Sequence, residues 1–160
     1  MSPNPSEGSV FKRILRLPAT RAPDDDGCWV YSAGRVLIDL SRAHELSVPG
    51  GALRLEGGEL PFRVLVMTGA DRRVHAFRNH CSHQGRRLDP IEGGRGVCCC
   101  SWRHSTYDLV GQVRSGPATG PLTVCPVQRI DGRLVVTLQC RTFVRSAAQA
   151  LDSQPLRFFV

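Results

Sequence analysis

Long apolar runs are missing from this 160-residue chain, and nothing in it approaches the roughly 20 consecutive apolar residues that a membrane-spanning helix needs. The amino terminus lacks an apolar stretch as well. Pro3, Pro5 and Glu7 stand where a secretory leader would carry its hydrophobic segment, which argues against export. Arg-Arg pairs at 72–73 and 86–87 are internal and unlike an export signal. The expectation is a soluble, cytoplasmic protein. Aromatic residues are scarce at 6% against a hydrophobic share of 41%, so the core must lean on Val, Leu and Ile. The length suits one domain with a real core and is short for two. Clustered aromatics for base stacking are also lacking, and the basic residues are scattered. The net charge of +7 therefore points to an acidic partner ahead of nucleic acid.

Cysteine is what the chain does have, at seven residues. Without a leader, that count suggests metal binding or reduced thiols in place of a disulfide framework. Cys28, Cys125 and Cys140 stand alone in sequence, each most simply a small buried apolar residue. Residues 1–27 hold several prolines and the acidic run Asp24-Asp25-Asp26, and read as an extension with little structure of its own apart from the amphipathic stretch Val10–Leu15. From Cys28 onward, short strand-like runs alternate with turns. Val36–Leu40, Ala52–Leu55, Phe62–Met67 and Val74–Phe77 are such runs. Tyr107–Leu109 and Gln112-Val113 flank Gly111 as a small hairpin. Val124–Ile130 and Arg133–Leu138 flank Asp131-Gly132, a strong two-residue turn signal. The pattern predicts an all-β domain over 28–140 and a tail over 141–160, with a short helix over Ser146–Leu151.

The chemistry concentrates in Cys81-Ser82-His83-Gln84-Gly85 and in Cys100, with sixteen residues between His83 and Cys100. Thiolates and imidazoles together suit zinc or an iron–sulfur cluster. A C-x-H pair puts two donors in one tight loop, Gly85 lets the backbone turn beneath a cofactor, and a second loop with Cys100 closes the site. The second block reads Cys100-Ser101-Trp102-Arg103-His104-Ser105-Thr106-Tyr107-Asp108, followed by Gly111 and Gly116-Pro117-Ala118.

These residues resemble the Rieske [2Fe–2S] proteins, whose blocks are C-x-H-x-G and C-P-x-H-G-S-x-Y/F-D with a later G-P-A loop. The likeness runs from about Val36 to Leu138. It implies an antiparallel β-sandwich with a smaller cluster-binding subdomain of two loops. It also implies one iron held by Cys81 and Cys100, and the other by His83 and a second imidazole, which raises the potential above plant-type ferredoxins. The second imidazole position holds Arg103, which offers no lone pair; His104 follows it. Three completions stay open. A loop shift could bring His104 to iron; water, Cys98, Cys99 or an exogenous donor could complete the set; or the fold persists without the cluster.

The resemblance further implies that Ser105 and Tyr107 donate hydroxyl hydrogen bonds to a bridging sulfide and a cysteine sulfur, favouring the reduced state. Leu88 and Pro117 are the residues expected to keep water off the cluster. In alternating strand geometry Cys98 and Cys100 share a face while Cys99 points away. His44, His75 and His80 read as surface or capping residues, and Arg86, Arg87, Arg103 and Arg114 as a basic rim for an acidic redox partner. The expected function is one-electron transfer as a soluble Rieske-type ferredoxin between a reductase and an oxygenase or other oxidoreductase, with docking at the cluster tip and no turnover by this chain alone. A redox or metal sensor, and a cluster-less or zinc-bound interaction module, are the rival readings.

Overall fold

The structure, a computed structural model, describes residues 18–101, 103–139 and 141–142. It is all-β, in three antiparallel sheets, and no α-helix occurs among the described residues. The first sheet joins β1 (Trp29–Ser32), β2 (Arg35–Asp39), β12 (Arg133–Thr137) and β11 (Val127–Ile130) in that order. The second runs β13 (Arg141–Thr142), β10 (Thr123–Cys125), β5 (Val74–Arg78), β4 (Val64–Thr68) and β3 (Ala52–Leu55). The third, smaller sheet runs β6 (Leu88–Pro90), β7 (Val97–Cys99), β8 (Thr106–Tyr107) and β9 (Val113–Ser115).

The predicted hairpins are present. Asp131 and Gly132 adopt φ of 47° and 76° and join β11 to β12, the turn whose twist matches antiparallel strands. Ala33 and Gly34 do the same between β1 and β2 at φ of 48° and 77°, a hairpin the sequence reading passed over.

Every residue of β4 is buried, because the second sheet is covered on both faces. Val64, Val66, Leu53, Leu55 and Ala76 face Val36, Ile38, Leu134 and Val136 of the first sheet. One residue on in each strand, Leu65, Met67 and Phe77 pack against Leu88, Val97, Cys99 and Tyr107 of the third. The period-two alternation of a strand thus serves two cores at once. That explains why Phe62–Met67 reads as a nearly continuous apolar run.

Part of the expected amino-terminal extension is laid onto this body. The buried carboxylate of Asp89 accepts from the backbone N–H of Ala19 at 3.0 Å and of Thr20 at 2.8 Å. The Arg54 N–H donates to the Arg21 carbonyl at 3.0 Å. The stretch Val10–Leu15, Cys140, Trp102 and the helix expected at Ser146–Leu151 lie outside the described residues. Cys28 is buried with a free thiol, as expected, but Cys125 does not stand alone: it is disulfide-bonded.

Leu53 is fully buried between the first two sheets, so Leu53→Ala should lower unfolding free energy by about 2–5 kcal/mol in a denaturant titration. Val30, 57% exposed, should change it by less than about 0.5 kcal/mol on the same substitution.

Candidate metal centre

Two loops and one later segment meet at the end of the third sheet. The first loop turns tightly after β5. The Gly85 N–H donates to the Cys81 carbonyl at 2.8 Å, and the Cys81 N–H to the Arg86 carbonyl at 2.8 Å. Gly85 sits at φ 66°, the left-handed region, and its carbonyl accepts from the Arg63 guanidinium at 2.8 Å. Below it, Asn79 Oδ1 accepts from the Leu88 N–H at 2.6 Å, tying loop to sheet. The second loop springs from β7. The Cys99 N–H donates to the Ser105 carbonyl at 2.9 Å and the Cys100 N–H to the Arg87 carbonyl at 3.0 Å. Gly116 closes the site from the third side. At φ 89° it passes so near that a Cβ there would lie 2.6 Å from Ser105 Cα, so only glycine fits.

Tyr107, fully packed in the second core, brings its hydroxyl to 3.2 Å from Cys81 Sγ and 3.2 Å from Ser82 Oγ. Ser82 Oγ donates to the Gly120 carbonyl at 2.7 Å. That commits the only serine proton, so the single tyrosine proton is what Cys81 and Ser82 compete for.

The sulfurs do not fall as the strand reading expected. Leu88 stands opposite Cys99 and Val97 opposite Tyr107. The odd-numbered residues of β7 therefore face the inside, and Cys99 shares the core with Tyr107 instead of pointing away. Its thiol hydrogen-bonds Cys81. Cys100 follows past the strand end, also buried. Cys81 ionises well below the usual thiol range, at about 5, because Cys99 donates to its sulfur; burial opposes this, while Tyr107 and the His83 and Gln84 amides help. Cys99 moves the other way, since it holds the proton it shares with Cys81 and is itself buried. Burial, then the anionic sulfur of Cys81, pushes the Tyr107 hydroxyl up to about 12.

The remaining expected residues are scattered in exposure. Ser105 is fully buried and Leu88 lies in the core, whereas Pro117, Arg103 and His104 are exposed. His75 lies 3.1 Å from the Asp71 carboxylate, His44 and His80 are exposed, and the His80 ring covers Gly85. The basic rim is partly neutralised. Arg87 forks onto Glu56 at 2.6 and 2.8 Å, and Arg114 pairs with Asp108 at 2.7 Å. Among the described residues, no three His, Cys, Asp or Glu side chains already converge as a metal site.

This chain belongs to the Rieske [2Fe-2S] domain family, whose model matches residues 38–135. It is 40% identical over 70 residues to the glycine betaine monooxygenase oxygenase subunit of Pseudomonas aeruginosa. That match takes in 43% of this chain and 16% of the relative, so the chain spans about a sixth of that protein's length. Among solved structures it is similar to a chain of the oxygenase–ferredoxin complex of carbazole 1,9a-dioxygenase (20% identity, 58% of this chain and 85% of that one, TM-score 0.49). It is also similar to the plasma membrane Rieske protein of Synechocystis PCC 6803 (23% identity, 54% and 85%, TM-score 0.45). At such scores membership rests on the sequence match. No helix among the described residues is long and apolar enough to cross a membrane.

The family's domain carries a [2Fe–2S] cluster and transfers electrons, and the buried polar atoms of this site fit that group. His83 Nδ1, Ser101 Oγ and Ser105 Oγ are buried without an aligned hydrogen-bond partner. Each such orphan costs about 1–3 kcal/mol. Ser101 favours ionisation of the Cys99 thiol, against the Cys81 sulfur and burial. An iron takes an imidazole lone pair, and inorganic sulfide accepts hydroxyl protons, so a cluster meets these needs together with the thiols. Arg103 does not fit as a ligand, since a guanidinium has no lone pair to give.

In cluster-free protein, Tyr107→Phe removes a donor to the Cys81 thiolate and should move that ionisation toward higher pH, read from thiolate absorbance. Because the folded value is depressed, Cys81 stabilises the fold increasingly as pH rises above about 5 toward the usual thiol range, and the gain is lost as pH falls through about 5. Thermal melts of the cluster-free chain across that window should rise with pH.

Proposed function

We propose that this chain is a one-electron carrier, a Rieske-type ferredoxin that passes electrons from a reductase to an oxygenase or other oxidoreductase. The observation that carries this reading is the Tyr107 hydroxyl on Cys81 Sγ, with Ser105 Oγ buried and unpartnered nearby in sequence. Hydroxyl donors aimed at sulfur are how such a site sets its potential. The 70-residue match to an oxygenase subunit supports placing that electron transfer beside an oxygenase.

When bound, the [2Fe–2S] cluster supplies reversible one-electron exchange. Cys81 and Cys100 would hold one iron and His83 the other; the fourth place, expected at His104, is taken up below. Tyr107 orients its single proton toward the Cys81 sulfur, draws off negative charge there and so favours the electron-rich state. Ser105, whose hydroxyl is buried and unpartnered, would do the same for a sulfide. Leu88, fully buried, keeps water from beneath the site. The exposed guanidinium of Arg103 and the half-buried one of Arg86 leave the tip positive, a complement to an acidic reductase or oxygenase surface that steers encounter more than it adds affinity.

Anaerobic reconstitution with iron and sulfide should give a red-brown protein with an EPR signal on reduction, and a chain that stays colourless would defeat the carrier reading. Ser105→Ala should lower the midpoint potential by roughly 40 mV, the one-electron equivalent of one net hydrogen bond of about 1 kcal/mol. Reduction by a partner should slow as ionic strength rises.

A further inference from the structure

With a [2Fe–2S] cluster at this site, as the reading above holds, four protein donors are needed and the position of the second imidazole holds Arg103. Both Arg103 and His104 are exposed. A different set of donors is buried. Cys81 is fully buried, Cys99 is 2% exposed and Cys100 is 7% exposed; the fourth is His83 Nδ1, buried and without a partner. Cys99 is already committed in direction. Its register opposite Leu88 turns the side chain inward, its N–H is fixed on the Ser105 carbonyl at 2.9 Å, and it packs in the same buried cluster as Cys81. A side chain locked by backbone pairing on the same face as a ligand sulfur is a better donor than an exposed imidazole beyond the strand end.

We propose that Cys99 is the fourth cluster ligand, so that the group is held by three thiolates (Cys81, Cys99, Cys100) and one imidazole (His83). Any proton still held by a ligand sulfur passes to solvent as that sulfur bonds iron, and no electrons are exchanged in loading. Thiolate is softer and more charged than imidazole, so the bound group carries one more negative charge than a two-histidine cluster. Its potential therefore lies below that of two-histidine clusters. With a single imidazole on iron, reduction is linked to one histidine ionisation instead of two. Arg103 then has an electrostatic place in the motif: a fixed positive charge beside the more negative centre.

The test loads wild type, Cys99→Ser and His104→Ala anaerobically with iron and sulfide, and checks folding of each cluster-free chain by its melting transition. Expected are a loaded wild type, a His104→Ala spectrum like it, and a folded Cys99→Ser chain whose visible absorption is lost or displaced to shorter wavelength. A Cys99→Ser chain with wild-type spectrum and iron content overturns the proposal, as does a folded His104→Ala chain without cluster. Should Cys99→Ser fail to fold, pulsed EPR of reduced wild type decides without a variant. One strongly coupled imidazole nitrogen supports the assignment and two overturn it. A wild type that never takes up iron defeats the carrier reading itself, a result distinct from a loaded wild type with two coupled nitrogens.

Discussion

Everything near the sulfurs depends on a sheet with no solvent side. β4 is buried at all five positions, so its odd and even residues are claimed by different cores, and neither face tolerates a slip in register. Val64 and Val66 hold the sandwich together, while Leu65 and Met67 are the floor on which Tyr107, Cys99 and Cys81 rest. The smaller sheet has only short strands, of two or three residues each. Strands that short are not stable alone; they owe their position to this floor and to side-chain ties such as Asn79 to Leu88.

The site is assembled the same way, by groups each doing two things. Ser105 gives its carbonyl to Cys99 and keeps its hydroxyl unpaired. Arg87 gives its carbonyl to Cys100 while its guanidinium grips Glu56. Glu56 is held below the usual carboxylate range chiefly by that pair. Positive charge that the composition suggested was free for partners is thus partly taken up inside the protein, while near the sulfurs Arg103 stays exposed and Arg86 half-buried.

The sequence was legible where a local rule decides the outcome. Asp131-Gly132 demanded positive φ, the alternating runs named their strands, and the block from Cys100 to Asp108 kept step with the family pattern through Ser105 and Tyr107. It was less legible where only pairing decides. Leu88-Asp89-Pro90 has no strand signature and becomes β6 because Leu88 and Pro90 find Cys99 and Val97. Three successive cysteines carry no phase of their own, so which of them faces inward waited on the register against Leu88 and Tyr107. Cys125 looked solitary because a disulfide is a matter of distance in space, which spacing along the chain does not reveal.

Ser82 touches three pieces of chain at once: its own loop, the β8 tyrosine and the exposed segment ending at Gly120. Because the Gly120 carbonyl holds the serine's hydrogen, that outer segment fixes which hydroxyl is left to supply the hydrogen between Ser82 and Tyr107. The outer residues Thr119 and Gly120 are thereby joined to the Cys81 sulfur through the hydroxyls of Ser82 and Tyr107.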